Sequence, residues 1–288
     1  MQTGFDPTQF PVPDARTLIR LALAEDVGSG DVTSLWTIPP NQTQTGTLIA
    51  KQSGVLAGLA IIPLVFEELH VPMTVTFYKK DGDRVEPGEK IAILTGTTQA
   101  LLTGERTLLN FLQQLSGVAS IASVYAGALK VGKTQVLDTR KTLPGFRRLQ
   151  KYAVRAGGGS NHRMGLHDMV LVKDNHIEAA GGVLPALEMV RKHNAQGLKV
   201  EMEVESLEQL RSLLHKGVDV IMLDNMSDET MAEAVAIVRE SKDPVLLEAS
   251  GNMDLERVQR IANLGLDFVS VGALTHSVKA LDISLRIL

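Results

Sequence analysis

An α/β protein, with an incomplete (β/α) barrel in its C-terminal part and a mixed α/β domain before it, is the fold class that three features of the sequence predict. From residue 131 onward, short apolar runs alternate with longer amphipathic stretches, the pattern of strand–helix units that feed a parallel sheet. Nearly every run ends on charged, hydroxyl or glycine residues, which suits the C-terminal mouth of such a barrel, where its chemistry sits. Residues 1–115 lack that alternation and read as a helix followed by β-type stretches and turns.

The first element expected is a helix over 14–25. Extended stretches at 75–78 and 91–94 then bracket the segment DGDRVEPGEK at 81–90, whose glycine, proline and aspartate content predicts a tight β turn region. The segment superficially resembles a lipoyl-type hairpin, but no lysine stands at the turn tip, so its role is read as structural. A helical pattern from Gln99 to about Lys130 connects the two parts. On it Arg106, Asn110, Gln113 and Gly117 recur as one polar stripe opposite Leu108, Phe111, Leu112 and Leu115. Such a stripe either faces solvent or carries the Arg106 charge into a domain or subunit interface.

Six strand-like runs follow, at 134–138, 169–173, 198–204, 218–224, 244–248 and 267–271. The spacing leaves room for one helix between each pair. The stretch 207–214, for instance, is opened by Ser206 with Gln209 three residues on, a capping-box pattern. Six strands rather than eight predict a barrel that does not close; an open doubly wound sheet has the same periodicity and is the alternative. The division expected is 1–115, rejoined by the segment 276–288, and 116–275.

The chain has 288 residues, 44% of them hydrophobic, enough for a sizeable core and too apolar for disorder. A net charge of −4 and an aromatic content of 4% give no reason to expect a nucleic-acid partner or a membrane surface. The absence of cysteine removes disulfides, thiol nucleophiles and cysteine metal sites, and fits a cytoplasmic setting. The N-terminus carries no basic-then-apolar run and does not read as a signal peptide. No apolar stretch reaches membrane-spanning length.

Positive charge is concentrated. Between Arg140 and Lys173 stand eight basic residues (Arg140, Lys141, Arg147, Arg148, Lys151, Arg155, Arg163 and Lys173) against one acid, Asp168. A basic run is often only a solvated face, yet Arg140, Lys141 and Lys173 fall at strand ends, where guanidinium and ammonium groups suit carboxylates and phosphates. Within the run, three glycines at 157–159 precede Ser160-Asn161-His162-Arg163 and would let backbone amides approach an anion. The spacing matches neither a Walker A loop nor a dinucleotide fingerprint. His162, His167 and His176 fit no zinc pattern and read as surface or hydrogen-bonded histidines. Glu203 and Asp224 end consecutive strands; they are either a structural ion pair's acids or, beside phosphates, ligands for Mg²⁺. Ser250-Gly251-Asn252 and Gly272-Ala273 follow the last two strands and suit a backbone phosphate cradle.

At these residues the sequence resembles the quinolinate phosphoribosyltransferases. The resemblance rests on Glu25-Asp26 with Gly30-Asp31-Val32-Thr33, residues 103–107 (TGERT), 138–142 (DTRKT) and 157–163 (GGGSNHR). It continues through 173–176 (KDNH), 201–204 (EMEV), 223–225 (LDN), 248–252 (EASGN) and 270–275 (SVGALT), in family order over all but the first residues of the chain. It implies a split, sandwich-like α/β N-terminal domain, an incomplete α/β barrel, and a homodimer whose sites are shared between subunits. It also implies quinolinate and phosphoribosyl pyrophosphate as substrates, with Mg²⁺ as cofactor. By position, Arg140, His162, Arg163 and Lys173 would bind quinolinate, joined by Arg106 of the partner subunit, and Thr139 would also bind substrate. Lys141, Glu203 and Asp224 would be the catalytic group at the pyrophosphate, ribose and metal end. Ser250, Gly251, Asn252, Gly272 and Ala273 would cradle phosphate. The alternatives are a related barrel-type transferase acting on another base, including a molybdenum-locus paralogue, and a catalytically silent phosphometabolite-binding protein. The intact set Arg106, Lys141, Lys173, Glu203 and Asp224 argues against the silent protein.

Overall fold

The computed structural model of the protein describes residues 5–130 and 132–287. In chain order it begins with α1 (Val12–Asp26), α2 (Val32–Thr37), β1 (Thr43–Ala50), β2 (Gly54–Val55), α3 (Ile61–Glu68) and β3 (Met73–Phe77). There follow β4 (Arg84–Val85), β5 (Lys90–Thr97), α4 (Thr98–Ala128), β6 (Gln135–Leu137), α5 (Arg147–Ala156), β7 (Val170–Val172), α6 (Asp174–Ala179) and α7 (Val183–His193). The chain ends with β8 (Val200–Val204), α8 (Leu207–Leu213), β9 (Val220–Asp224), α9 (Asp228–Ser241), β10 (Leu246–Ser250), α10 (Leu255–Ile261), β11 (Phe268–Ser270), α11 (Ala273–His276) and β12 (Ile283–Ile287).

Helix starts follow the capping chemistry of the sequence. Ser206, Ser227 and Asp254 each accept the backbone N–H three residues on, opening α8, α9 and α10. Asp31 caps α2 in the same way, its Oδ1 accepting from Ser34 N at 3.0 Å, while its Oδ2 accepts from Thr103 Oγ1 on α4 at 3.1 Å. One aspartate thereby fixes both a helix start and its attachment.

Contacts divide the chain into two compact units: one comprises the chain up to Ser123, Thr142–Gly158 and everything from Leu274 onward; the other comprises Val124–Lys141 and Gly159–Ala273. The position 115/116 lies inside the continuous helix α4, which no composition shift marks.

The first unit is built on a four-stranded antiparallel sheet in the order β12-β1-β5-β3. Along β1 the inward positions Leu48 and Ala50 are fully buried, the alternation expected of a sheet with one face on the core. Helices α1 and α3 lie together, pinned at the surface by Arg16 to Glu67 and Glu68, and by Arg20 to Glu68. The polar stripe of α4 has two fates. Arg106 and Asn110 are exposed. Gln113 exchanges hydrogen bonds with the C-terminal segment, its Nε2 donating to Ile283 O at 2.6 Å and its carbonyl accepting from Leu281 N at 2.9 Å. Gly117 is buried against the C-terminal segment, where a Cβ would lie 2.4 Å from Lys279 O.

The second unit holds all six predicted strands in one parallel sheet, ordered β6-β11-β10-β9-β8-β7. β6 and β7 do not pair with each other, so this is an incomplete barrel, as is the fold class the sequence predicts. Strand β8 is buried at every residue, as in sheets covered on both faces. A single residue extends the sheet beyond β6: Ser160 bridges Leu137 in parallel, with Ser160 N to Val136 O at 2.9 Å and Asp138 N to Ser160 O at 3.1 Å. It occupies a seventh strand position that no apolar run announces.

Candidate active site

A cavity of about 600 Å³ opens at the C-terminal ends of these parallel strands. Eleven of the fourteen residues expected to bind or act on substrate line it: Thr139, Arg140, Lys141, His162, Arg163, Lys173, Glu203, Asp224, Ser250, Gly251 and Asn252. Three do not. Arg106 is exposed on α4 in the first unit, and Gly272 and Ala273 stand beyond β11, where Ser270 provides the lining instead. Leu171, Asp174, Met222 and Asn225 complete the wall, and sequence reasoning had not assigned them. Period-two alternation carried the signal: Leu171 with Lys173, Glu201 with Glu203, Met222 with Asp224 and Glu248 with Ser250 each share one face of a strand.

Charges in the cavity are paired selectively. Lys173 Nζ donates to Glu203 Oε2 at 2.9 Å, and Glu203 is 4% exposed. Asp224 Oδ2 accepts from Asn225 Nδ2 at 2.6 Å. Burial lowers the pKa of the Arg163 guanidinium, and the like charge of Arg140 lowers it further, against a smaller opposing pull from Glu201. Two like charges therefore face the same space.

Beneath the cavity lies a group that sequence reasoning missed. Glu201 and Glu248 are each 1% exposed. Burial raises the pKa of both, and for Glu248 the neighbouring Glu201 adds to the rise. His162 Nε2 sits 3.0 Å from Glu201 Oε2 and 3.5 Å from Glu248 Oε2. Among the described residues this trio alone gathers three or more histidine or acid groups with ligand atoms within 4.8 Å of one another. Asp138, fully buried at the end of β6, holds the same segment, accepting from His162 N at 3.0 Å and Asn161 Nδ2 at 2.5 Å. His167 and His176 are exposed; His176 Nδ1 accepts from Lys173 N at 3.0 Å.

The loops after β9 and β10 form the far rim. Gly251, at φ +92°, could carry no side chain, since a Cβ would lie 2.2 Å from Asn225 Oδ1. Asn225 and Asn252 adopt left-handed backbone, at φ 52° and 50°. Arg257 ties the two loops together, donating to Gly251 O at 3.0 Å, to Met226 O, and to Asp228 Oδ1 at 3.0 Å.

The triple glycine serves a different end from the anion cradle expected of it. None of Gly157, Gly158 and Gly159 lines the cavity. A Cβ at Gly157 would stand 2.2 Å from Ala119 O, and Gly158 turns the chain at φ +89°. The basic run also divides: Arg140, Lys141, Arg163 and Lys173 reach the cavity, while Arg147, Arg148, Lys151 and Arg155 belong to α5 in the first unit. There Arg148 meets Asp14 at 3.3 Å, and Arg155 donates to Gln9 Oε1 at 2.7 Å. Among the described residues no helix is long and apolar enough to cross a membrane.

Comparison with known proteins agrees with this geometry. The family described as quinolinate phosphoribosyl transferase matches through its N-terminal domain at residues 31–116 and its C-terminal domain at residues 118–286. A carboxylating nicotinate-nucleotide pyrophosphorylase of Mycobacterium leprae is 43% identical over 275 residues, covering 94% of this chain and 96% of the relative. A chloroplastic enzyme of the same name from Arabidopsis thaliana is 42% identical over 303 residues, covering 99% and 86%. The solved structure of the nicotinate-nucleotide pyrophosphorylase from Francisella tularensis superposes with a TM-score of 0.93 at 39% identity, over 100% of both chains. With both domain matches in order across most of its length, the chain belongs to the quinolinate phosphoribosyltransferase family.

Proposed function

We propose that the protein transfers phosphoribosyl from phosphoribosyl pyrophosphate to quinolinate, releasing pyrophosphate and CO₂ and forming nicotinate mononucleotide for de novo NAD biosynthesis. One observation carries this reading: Arg140, Lys141, Arg163 and Lys173 share a single cavity with Glu203, Asp224 and the Ser250–Asn252 rim. Quinolinate brings two adjacent carboxylates, which guanidinium and ammonium groups neutralise. Its ring nitrogen attacks the sugar carbon as the bond to pyrophosphate breaks, so no covalent nucleophile on the protein is needed. Lys141 answers the negative charge growing on the leaving group, and Glu203 or Asp224 the positive charge growing on the ribose. When the carboxylate next to the ring nitrogen leaves as CO₂, the electron pair of the broken C–C bond stays on that ring carbon, stabilised by the adjacent cationic nitrogen, and takes up a proton from solvent.

The donor set fits Mg²⁺, which favours oxygen ligands and is held by one or two carboxylates together with substrate phosphates. Asp224 and Glu203 would hold it, and the ion would supply further neutralisation of the pyrophosphate. A homodimer with shared sites belongs to the same reading, supported by the exposed Arg106, which is available to a second chain. A cytoplasmic setting, expected from the cysteine-free composition, completes it.

The test is mass spectrometry of products from quinolinate, phosphoribosyl pyrophosphate and Mg²⁺, repeated in excess EDTA and with Mn²⁺. Nicotinate mononucleotide, pyrophosphate and CO₂ in equal amounts are expected, lost in EDTA and regained with either ion. Product without CO₂, or turnover of another base only, would replace the substrate. Full activity in EDTA would remove the metal from the scheme.

A further inference from the structure

Burying two carboxyl groups side by side is costly, and well-packed apolar side chains in such places are often neutral or stabilising. Glu201 and Glu248 are nevertheless 1% exposed and share one neighbour, His162. Both stand one inward position below a cavity residue on their strands. What His162 does is set by its two ring nitrogens. Nδ1 accepts from the backbone N–H of Arg163 at 2.7 Å, which leaves the ring proton on Nε2, the atom that faces the glutamates. Nδ1 is thus held by the backbone, and Nε2 lies within ion-pair distance of both glutamates. Glu248 is itself held, its Oε1 accepting from Ser270 Oγ at 2.5 Å.

We propose that Glu201 and Glu248 are positioning residues: acting through His162, they fix the segment that presents Arg163 to the second carboxylate of the substrate. This rests on the quinolinate reading above. In it His162 is a brace, and the direct contact with substrate belongs to Arg163, whose Nη1 donates to Met169 O at 3.2 Å and whose other guanidinium nitrogens remain available to an anion.

The experiment compares Glu201→Gln, which keeps an acceptor oxygen facing Nε2, with Glu201→Leu, which removes it at similar volume. Readouts are KM for quinolinate, KM for phosphoribosyl pyrophosphate, kcat and the melting temperature of the full chain. Glu201→Leu is expected to raise KM for quinolinate at least ~10-fold, as small misplacements of a binding group do, with KM for phosphoribosyl pyrophosphate within about twofold. Its melting temperature should stay level or rise, and Glu201→Gln should restore most of the quinolinate affinity. An unchanged KM for quinolinate in Glu201→Leu, or equal losses for both substrates with a lower melting temperature, would overturn the proposal. If Glu201→Leu does not fold, Glu248→Leu, with Glu248→Gln as its conservative partner, decides by the same readouts and criteria. Wild-type protein that fails to turn over quinolinate would instead defeat the functional reading itself, and the parallel wild-type assay separates the two failures.

Discussion

Arg140 and Arg163 stand close enough for one to depress the pKa of the other, and both line the cavity. Such a pair gains most from a ligand with two adjacent negative groups. With nicotinate, which lacks one carboxylate, part of the positive cluster would be left facing itself. Each unmet charge-assisted contact forfeits ~1.5–3 kcal/mol, so losing a carboxylate that accepts two of them should cost on the order of 10² to 10⁴-fold in specificity. Arg163→Ala is expected to narrow that preference by about 10-fold or more, by weakening quinolinate more than nicotinate. The measurement is kcat/KM for both acids, wild type and mutant, at saturating phosphoribosyl pyrophosphate. At this scale the sequence was informative wherever a polar residue ended an apolar run, because a strand end in a parallel sheet has one place to go. It was silent on the partnership of Asp138, Glu201, Glu248 and His162. Those residues stand in the motifs that carry the family resemblance, but their contacts join four separated segments, which no local pattern records.

Among elements, all six parallel strands were legible from their apolar runs, and α4 from its helical periodicity. The seventh strand position was not, because Ser160 follows three glycines and pairs through its backbone alone. The glycines misled for a related reason: a residue without a side chain signals close approach but not what approaches. At Gly157 it is the backbone of α4, with Ala119 O 2.2 Å and Ala122 Cβ 2.8 Å from where a Cβ would be. The φ of −77° there suits any residue, so Gly157→Ala isolates the steric effect from backbone strain. It should destabilise the protein by about 1–3 kcal/mol, the usual cost of overpacking. Urea unfolding of the variant beside wild type, at unchanged m-value, would show it; equal midpoints would mean that α4 and α5 yield without cost.

For the molecule as a whole, Arg106 and Lys141 test whether the catalytic unit is one chain or two. Arg106→Ala and Lys141→Ala are each expected to be nearly inactive. Mixed and allowed to exchange subunits, they should form heterodimers in which one site carries neither defect. Random pairing in a two-fold dimer with shared sites then predicts recovery of about a quarter of wild-type activity. Absence of recovery, with exchange demonstrated by mass spectrometry, would assign each site to a single chain.

The pairing of β12 with β1, in register from Gly46 opposite Ile287 to Ala50 opposite Ile283, also sets an order of events during synthesis. Every strand of the parallel sheet has left the ribosome once Ser270 has emerged, so that sheet has all its material first. The antiparallel sheet, although three of its four strands are made much earlier, waits with β1 as an unpaired edge until residues 283–287 appear. Unpaired edges invite pairing with other chains. The nascent protein therefore exposes the long edge of β1 in the part translated first, until the shorter β12 covers residues 46–50 of it.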